Sequence, residues 1–264
     1  MTTFVLVHGA WHGGWCWRDV ADRLRADGHV VYAPTLTGLS DRSHLLTRET
    51  GLETHILDIV NLLEWEELDD VVLCGHSYGG MVVTGAADRA AGRLRALVYL
   101  DAFVPADGQC VNDMAPPERV AGMLRAAAER GDGWKVPPLP ASVWLDDPAQ
   151  RAWVEPKVTP HPLRSLTDPL PLSGAWETAG RRMHVLASAN DPSPFHAIHE
   201  RVASEPGWLC RSIGGPHDLM ISHPEETAAL LLEAAEPLSP DQARRIRGSG
   251  WEGDLDRMRR DRSR

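Results

Sequence analysis

The sequence predicts an α/β fold, a doubly wound and mostly parallel sheet with a cap inserted after the strand that ends near Leu100. Apolar runs that suit buried strands alternate with segments of helical apolar spacing over residues 1–101 and 181–236. The alternation stops over residues 102–180, where prolines and tryptophans concentrate. A short glycine motif at residues 75–79 joins one strand directly to the next helix. We therefore expect a core, a cap at residues 102–180 and an arginine-rich tail at residues 237–264.

Length and composition restrict the class of protein. The chain has 264 residues, 43% of them hydrophobic, which suffices for one domain with an insertion. A net charge of −10 argues against a nucleic-acid surface or an anionic membrane as partner. The amino terminus has no basic leader, and no apolar run approaches the roughly 20 residues that span a bilayer. Four cysteines lack metal-type spacing and are expected to be reduced, so we predict a cytoplasmic protein.

The first half of the chain begins with an apolar strand that runs into a glycine-rich loop. That loop, His8-Gly9-Ala10-Trp11-His12-Gly13-Gly14, lets backbone N–H groups approach a ligand closely. Apolar spacing and turn residues predict the elements that follow. They are a strand at residues 3–7, a helix at 15–26, a strand at 29–32, a loop at 35–48 and a helix at 52–65.

The motif Gly75-His76-Ser77-Tyr78-Gly79 follows the apolar run 71–74 and precedes a helix-compatible stretch that ends near residue 91. A strand, a sharp turn and a helix in this order are typical of a nucleophile elbow. The turn would expose Ser77 at the carboxyl edge of the sheet and at the amino end of a helix, where developing negative charge is stabilised. Another apolar strand is expected at residues 96–100.

The proline-rich segment 102–180 is expected to contain one longer helix, at residues 118–130, and to cover the site as a cap. It carries four tryptophans that suit either of two roles. They line an apolar substrate pocket, or they only pack the cap onto the core. These residues are Trp134, Trp144, Trp153 and Trp176.

The alternation resumes after the cap and ends before the tail. The expected elements are a strand at residues 183–188, a helix at 195–203, a strand at 208–213 and a helix at 224–236. Asp191 follows the first of these strands, and His217 lies in the loop after the second. Ligands of parallel sheets bind at the carboxyl ends of strands, where both residues are expected. The tail mixes arginines with aspartates and is expected to be solvated.

With these pieces in place, the chain resembles the α/β-hydrolase superfamily. It is most similar to the branch of plant methylesterases of the salicylate-binding type, plant hydroxynitrile lyases and bacterial esterase relatives. The motifs that carry the resemblance span most of residues 1–236. They are residues 4–15, the elbow at 75–81, Leu100-Asp101-Ala102-Phe103-Val104-Pro105 and Gly214-Gly215-Pro216-His217.

The resemblance implies a Ser–acid–His triad in that chain order. Ser77 would be the nucleophile, His217 the base and Asp191 the acid, with Asp101 as the alternative acid because some relatives place it after the preceding strand. The oxyanion donors would be the backbone N–H groups of Ala10 and Tyr78. Candidate pocket residues form a further set. They are Trp11, His12, Trp134, Trp144 and Trp153.

The implied activity is hydrolysis of a small, hydrophobic or aromatic carboxylic ester through an acyl-enzyme, with no metal or organic cofactor. Three alternatives remain open. They are a thioesterase, hydrolase or cyclase of a biosynthetic pathway, a ligand receptor without turnover, and a hydroxynitrile lyase. The lyase is disfavoured because the lyases of this branch have a lysine after the catalytic histidine, where Asp218 has the opposite charge. The expected partner is a small-molecule ester, and a homodimer formed through the tail is a further hypothesis.

Overall fold

The computed structural model describes residues 1–237, and it contains a six-stranded sheet with strand order β2-β1-β3-β4-β7-β8. Every neighbouring pair in this sheet is parallel. The sheet strands are β1 (Thr3–Val7), β2 (Val30–Tyr32), β3 (Val71–His76), β4 (Leu94–Leu100), β7 (Arg181–Ala187) and β8 (Trp208–Ile213). Two short antiparallel strands lie apart from it, β5 (Lys135–Val136) and β6 (His161–Pro162). The predicted fold class is confirmed.

The helices of the described chain include connections between the parallel strands, helices of the segment between β4 and β7, and two helices after β8. They are α1 (Arg18–Ala26), α2 (Leu52–Trp65), α3 (Gly79–Ala90), α4 (Val111–Met114), α5 (Pro117–Arg130), α6 (Pro148–Val154), α7 (Arg164–Thr167), α8 (Phe195–Ala203), α9 (Leu219–Ser222) and α10 (Pro224–Ala235). The structure differs from the sequence prediction in two places before α2. A 3₁₀ turn at Gly14–Trp17 opens the predicted helix 15–26, and another at Ser40–Leu45 interrupts the predicted loop.

The hydrophobic core lies in the middle of the sheet. All six residues of β3 are buried, as are the last four residues of β1. Strands covered on both faces require continuous apolar runs rather than alternation, which is the pattern in these segments. The elbow therefore follows a strand that is buried on both faces, and this anchors the position of Ser77.

Residues 102–180 lie between β4 and β7, and we propose that they form the cap. They contain more regular structure than predicted, namely α4, α6, α7 and the antiparallel pair of β5 and β6. Trp11, in the loop after β1, ties the segment to the core, because its indole N–H donates to the Val136 carbonyl (3.0 Å) and its own carbonyl accepts from the Thr159 N–H (3.0 Å). Its backbone N–H donates to His161 Nδ1 (3.3 Å).

Two predictions concern the carboxyl-terminal tail and membrane-spanning segments. The expected tail, apart from Pro237, lies outside the described residues. Over residues 1–237, none of the helices combines the length and the apolar character needed to cross a bilayer.

Candidate active site

Ser77 occupies the sharp turn between β3 and α3 with a positive φ of 54°. A serine in this left-handed region is strained, and the surrounding packing enforces it. A Cβ on Gly75 would come within 2.5 Å of the Gly79 carbonyl oxygen, and one on Gly79 within 2.8 Å of the His8 carbonyl oxygen. Glycine is therefore required on both sides of the turn, which agrees with the predicted elbow.

His217 lies within hydrogen-bond distance of the serine. Its Nε2 is 3.0 Å from Ser77 Oγ, so the hydroxyl can donate to this nitrogen. The imidazole is buried and stacks on Phe195, with ring centroids 5.3 Å apart and an angle of 6° between the planes. A histidine in this position can take the serine proton as the hydroxyl attacks.

The carboxylate that holds the imidazole is Asp101, at the end of β4. His217 Nδ1–H donates to Asp101 Oδ2 over 2.6 Å, and the aspartate is fully buried. Two further donors reach the same carboxylate, the Ala187 N–H (3.1 Å) and the Asn190 side-chain amide (2.7 Å). This arrangement fixes the tautomer in which Nε2 is free to accept a proton.

The preference for Asp191 as the acid is corrected by this geometry. Asp191 is exposed, and its side chain makes no hydrogen bond within the described residues. In the loop after β7 the preceding residue, Asn190, turns inward and bonds Asp101, so Asp191 faces solvent one position later. The alternative acid, Asp101, occupies the position that the triad requires.

The two expected oxyanion donors line the same pocket as Ser77. Neither the Ala10 nor the Tyr78 backbone N–H donates to another group among residues 1–237, and both residues are buried beside Ser77. A pair of free N–H groups next to a nucleophile is the arrangement that stabilises an oxyanion.

Buried histidines support these loops as neutral groups. His8 Nδ1–H donates to the Gly9 carbonyl (2.8 Å) and Nε2 accepts from the Leu36 N–H (3.0 Å). His76 Nε2–H donates to the His217 carbonyl (3.1 Å). Burial lowers the pKa of both imidazoles to about 3, so they are uncharged at neutral pH. They hold carbonyl groups of the catalytic loops rather than transfer protons.

One group of described side chains has the spacing of a metal site. Ligand atoms of His76, His217 and Asp218 all lie within 4.8 Å of one another. Both nitrogens of His217 already face Ser77 and Asp101, and His76 Nε2 already donates to a carbonyl. We therefore assign this group to the architecture of the active site.

The pocket beside Ser77 is mainly apolar. Helices α4 and α5 form one wall and carry two polar residues, Asn112 and Arg119. The apolar lining comes from the β1 loop, the segment after β4, the cap and α8. Its larger members are Trp11, Phe103, Val111, Met123, Leu166 and Phe195. The pocket suits a small hydrophobic acyl group.

A second, more polar cleft adjoins His217 and shares Arg119 and Phe195 with the Ser77 pocket. Trp144, Asn190 and Asp191 line this cleft. A group released on this side of His217 would have access to solvent.

The structure supports part of the predicted pocket set and corrects the rest. Trp11 lines the Ser77 pocket and Trp144 lines the His217 cleft. Trp134 instead contacts the cations of Arg48 and Lys135, and Trp153 packs edge-on against Trp15. His12 is buried behind the site, and Trp176 packs near Trp208.

Sequence reasoning missed several pocket residues. Phe103 lies within a motif already singled out, but nothing marked its side chain as pocket-facing. Val120 and Met123 follow one face of α5, so apolar spacing in that helix was a usable signal. Asn112 and Arg119 carry no such signal, because a polar residue on a cap helix is ordinarily solvated.

A strained serine after a buried strand, a histidine after the last strand and a buried aspartate define a serine hydrolase of the doubly wound α/β class. The chain belongs to the alpha/beta hydrolase family, whose model matches residues 4–230.

Comparisons with known proteins agree with this assignment. The chain is 44% identical over 239 residues to the carbendazim hydrolyzing esterase of Nocardioides sp. (strain SG-4G), covering 88% of this chain and 98% of that protein. It is 38% identical over 103 residues to salicylic acid-binding protein 2 of Nicotiana tabacum, a match of 39% and 40% of the two chains. An extracellular alpha/beta-hydrolase from a Paenibacillus species has the same fold, with a TM-score of 0.80 and 23% identity over 90% of this chain and 100% of that one.

Proposed function

We propose that the protein is a serine carboxylesterase that hydrolyses small esters with a hydrophobic or aromatic acyl group. The observation that carries the proposal is the chain of contacts from Ser77 Oγ to His217 Nε2 (3.0 Å) and from His217 Nδ1 to Asp101 Oδ2 (2.6 Å), at the edge of an apolar pocket. The similarity to an esterase over 98% of that protein's length supports the same activity.

In the first half of the reaction, Ser77 Oγ attacks the ester carbonyl as His217 Nε2 takes its proton. Asp101 stabilises the imidazolium that forms. The tetrahedral oxyanion accepts hydrogen bonds from the Ala10 and Tyr78 N–H groups. His217 then returns the proton to the alkoxide, which leaves as the alcohol, and the acyl group stays on Ser77.

In the second half, His217 removes a proton from water, and the resulting hydroxide attacks the acyl-enzyme. The intermediate collapses, Ser77 regains its proton from His217, and the carboxylic acid departs. All these steps use side chains and backbone groups of this chain.

The cytoplasm stays the proposed compartment, supported by the free thiols of Cys16, Cys74, Cys110 and Cys210.

The lyase alternative has little support in the geometry. The residue after His217 is Asp218, which is fully buried and paired with His12 behind the site. A departing cyanide needs a cation facing the substrate, and this carboxylate provides the opposite charge in another direction.

The test is steady-state hydrolysis of p-nitrophenyl and methyl esters. Carbendazim is an additional substrate, and its hydrolysis is measured as the decrease in its concentration. We expect Ser77→Ala to lower kcat by about 10⁴-fold or more, and Asp101→Asn by about 10⁴-fold because it stabilises the wrong tautomer. Asp191→Asn is the matched control, and we expect it to stay within about twofold of wild type because Asp191 is exposed. Wild-type rates for Ser77→Ala would refute the proposal, and a larger loss in Asp191→Asn than in Asp101→Asn would refute the assignment of the acid.

A further inference from the structure

A second histidine–carboxylate pair lies behind the triad. His12 Nε2 is 3.1 Å from Asp218 Oδ2, and His12 Nδ1 is 2.8 Å from the Ala10 carbonyl oxygen. Both ring nitrogens therefore face oxygen acceptors. A neutral imidazole has one N–H, so it can serve only one of the two, whereas the imidazolium serves both.

Because the pair is buried, its protonation state determines whether its charges are paired. His12 is 2% exposed and Asp218 is fully buried. Burial alone would lower the pKa of His12 and raise that of Asp218, yet their mutual attraction and hydrogen bond leave the pKa of His12 raised and that of Asp218 lowered. Both shifts favour the ion pair. Since an unpaired buried charge is costly, each residue needs the other.

The surrounding titratable groups do not compete for this role. Around the pair stand His8, His76 and His161, and burial holds the pKa of each far below the usual value, so all three are neutral. The Cys16 thiol is also buried, and burial raises its pKa well above the usual value. Asp101 is engaged by His217. Apart from Asp101, His12 and Asp218 are thus the charged groups that residues 1–237 place in this region.

The pair connects the two loops that act on the substrate. His12 contacts the carbonyl of Ala10, whose N–H is the proposed oxyanion donor. Asp218 directly follows His217, and its backbone N–H donates to the Trp144 carbonyl (3.2 Å) in the cap. The His12 ring stacks on Trp15 at 5.5 Å, which restrains the imidazole further.

We propose that His12 and Asp218 are positioning residues, a buried ion pair that holds the oxyanion loop against the His217 loop and depends on the second proton of His12. The inference rests on the proposed function, because it assigns the pair a task in the same site. His12 loses that proton as the pH rises through its raised folded pKa. The Ala10 loop should then loosen, and kcat should fall on the alkaline side.

The kinetic test uses Asp218→Asn, which keeps the shape and one acceptor but removes the charge. We expect kcat to fall about 10-fold with KM within about threefold, because oxyanion contacts act mainly in the transition state. The alkaline limb of the kcat profile should move to lower pH. The double variant His12→Asn/Asp218→Asn should lose little beyond the larger single effect. Asp19→Asn is the matched control, because Asp19 is an exposed aspartate of α1 that lines neither cavity, and it should change neither kcat nor the profile.

A spectroscopic test does not depend on turnover. The ¹⁵N chemical shifts of His12, assigned by comparison with His12→Asn, should report a mostly doubly protonated ring at about pH 6.5, where an ordinary imidazole is half titrated. Ser77→Ala should show the same signal. A singly protonated His12 at that pH, or Asp218→Asn with wild-type kcat and pH profile, would overturn the inference while leaving the esterase proposal intact. Activity retained by Ser77→Ala would instead defeat the esterase proposal.

Discussion

At the scale of single residues, Arg119 is placed to recognise the substrate. It lines both the Ser77 pocket and the His217 cleft, and its guanidinium makes no hydrogen bond or ion pair within residues 1–237. Asn112 lines the same pocket, and its Oδ1 is buried without a partner in the described chain. Buried polar atoms usually find partners, so a bound ester that carries a donor would satisfy Asn112 Oδ1, and the more exposed Arg119 could donate to an acceptor on the same ester.

We expect Arg119→Leu to lower kcat/KM about 10-fold for acyl groups that carry a carboxylate or another strong acceptor, with little change for plain alkyl acyl groups. The matched control is Arg125→Leu, an exposed arginine of the same helix that lines neither cavity. Competition between paired substituted and unsubstituted esters measures the preference directly. An equal loss on both substrates would indicate a general role in cap packing instead.

The sequence could not decide which of two aspartates is the acid of the triad. Asp101 and Asp191 each follow a strand of the parallel sheet, so topology brings both to the same edge. The local path of the loop after β7 then decides that Asn190 points inward and Asp191 outward. Strand periodicity carries no information about that loop. The roles of Ser77 and His217 could be predicted from the sequence because glycine motifs mark their turns.

At the scale of elements, the elbow depends on close backbone packing at the start of α3. A Cβ on Gly80 would lie 2.1 Å from the Phe103 carbonyl oxygen, and the Phe103 N–H donates to the Ser77 carbonyl (3.2 Å). The segment after β4 therefore sits directly on the nucleophile turn. Phe103 also lines the Ser77 pocket. A shift of the Phe103 segment would therefore change both the nucleophile turn and the shape of the pocket.

We expect Gly80→Ala to lower the free energy of unfolding by about 1–3 kcal/mol, because the clash involves backbone that cannot rotate away. Gly122→Ala is the contrasting helical variant. It meets no atom within 4 Å in α5 and should stabilise the protein by about 0.5–1 kcal/mol. Urea unfolding measures both. A neutral Gly80→Ala would show that the contact between α3 and the Phe103 segment can relax.

The elements also divide into those that local pattern determines and those that it does not. Continuous apolar runs predicted the central strands, and proline at the first turn marked α10. Composition predicted the cap, but it did not predict the short helices of the cap or the antiparallel pair of β5 and β6. Such elements have few residues and are held by tertiary contacts, such as those of Trp11 with Val136 and Thr159. The pocket residues that these short helices supply, such as Val111 of α4 and Leu166 of α7, were therefore not predictable from the sequence.

At the scale of the whole molecule, the proposed site assembles residues from four distant parts of the chain. Ala10, Ser77, Asp101 and His217 each follow a different strand of one parallel sheet. Their meeting is a consequence of strand order, since β1, β3, β4, β7 and β8 are consecutive neighbours in the sheet. The family resemblance implied this assembly. The His12–Asp218 pair could not be predicted from the sequence, because nothing in the spacing of the two residues connects them.

The most direct test of the triad is to trap the acyl-enzyme. The protein would be mixed with excess p-nitrophenyl butanoate, quenched rapidly in acid and analysed by peptide mass spectrometry. The account predicts a mass increase of one acyl group on the peptide that contains Ser77, formed about 10⁴-fold more slowly in Asp101→Asn and at the wild-type rate in Asp191→Asn. An acyl group on another residue, or wild-type acylation in Asp101→Asn beside slow acylation in Asp191→Asn, would contradict it.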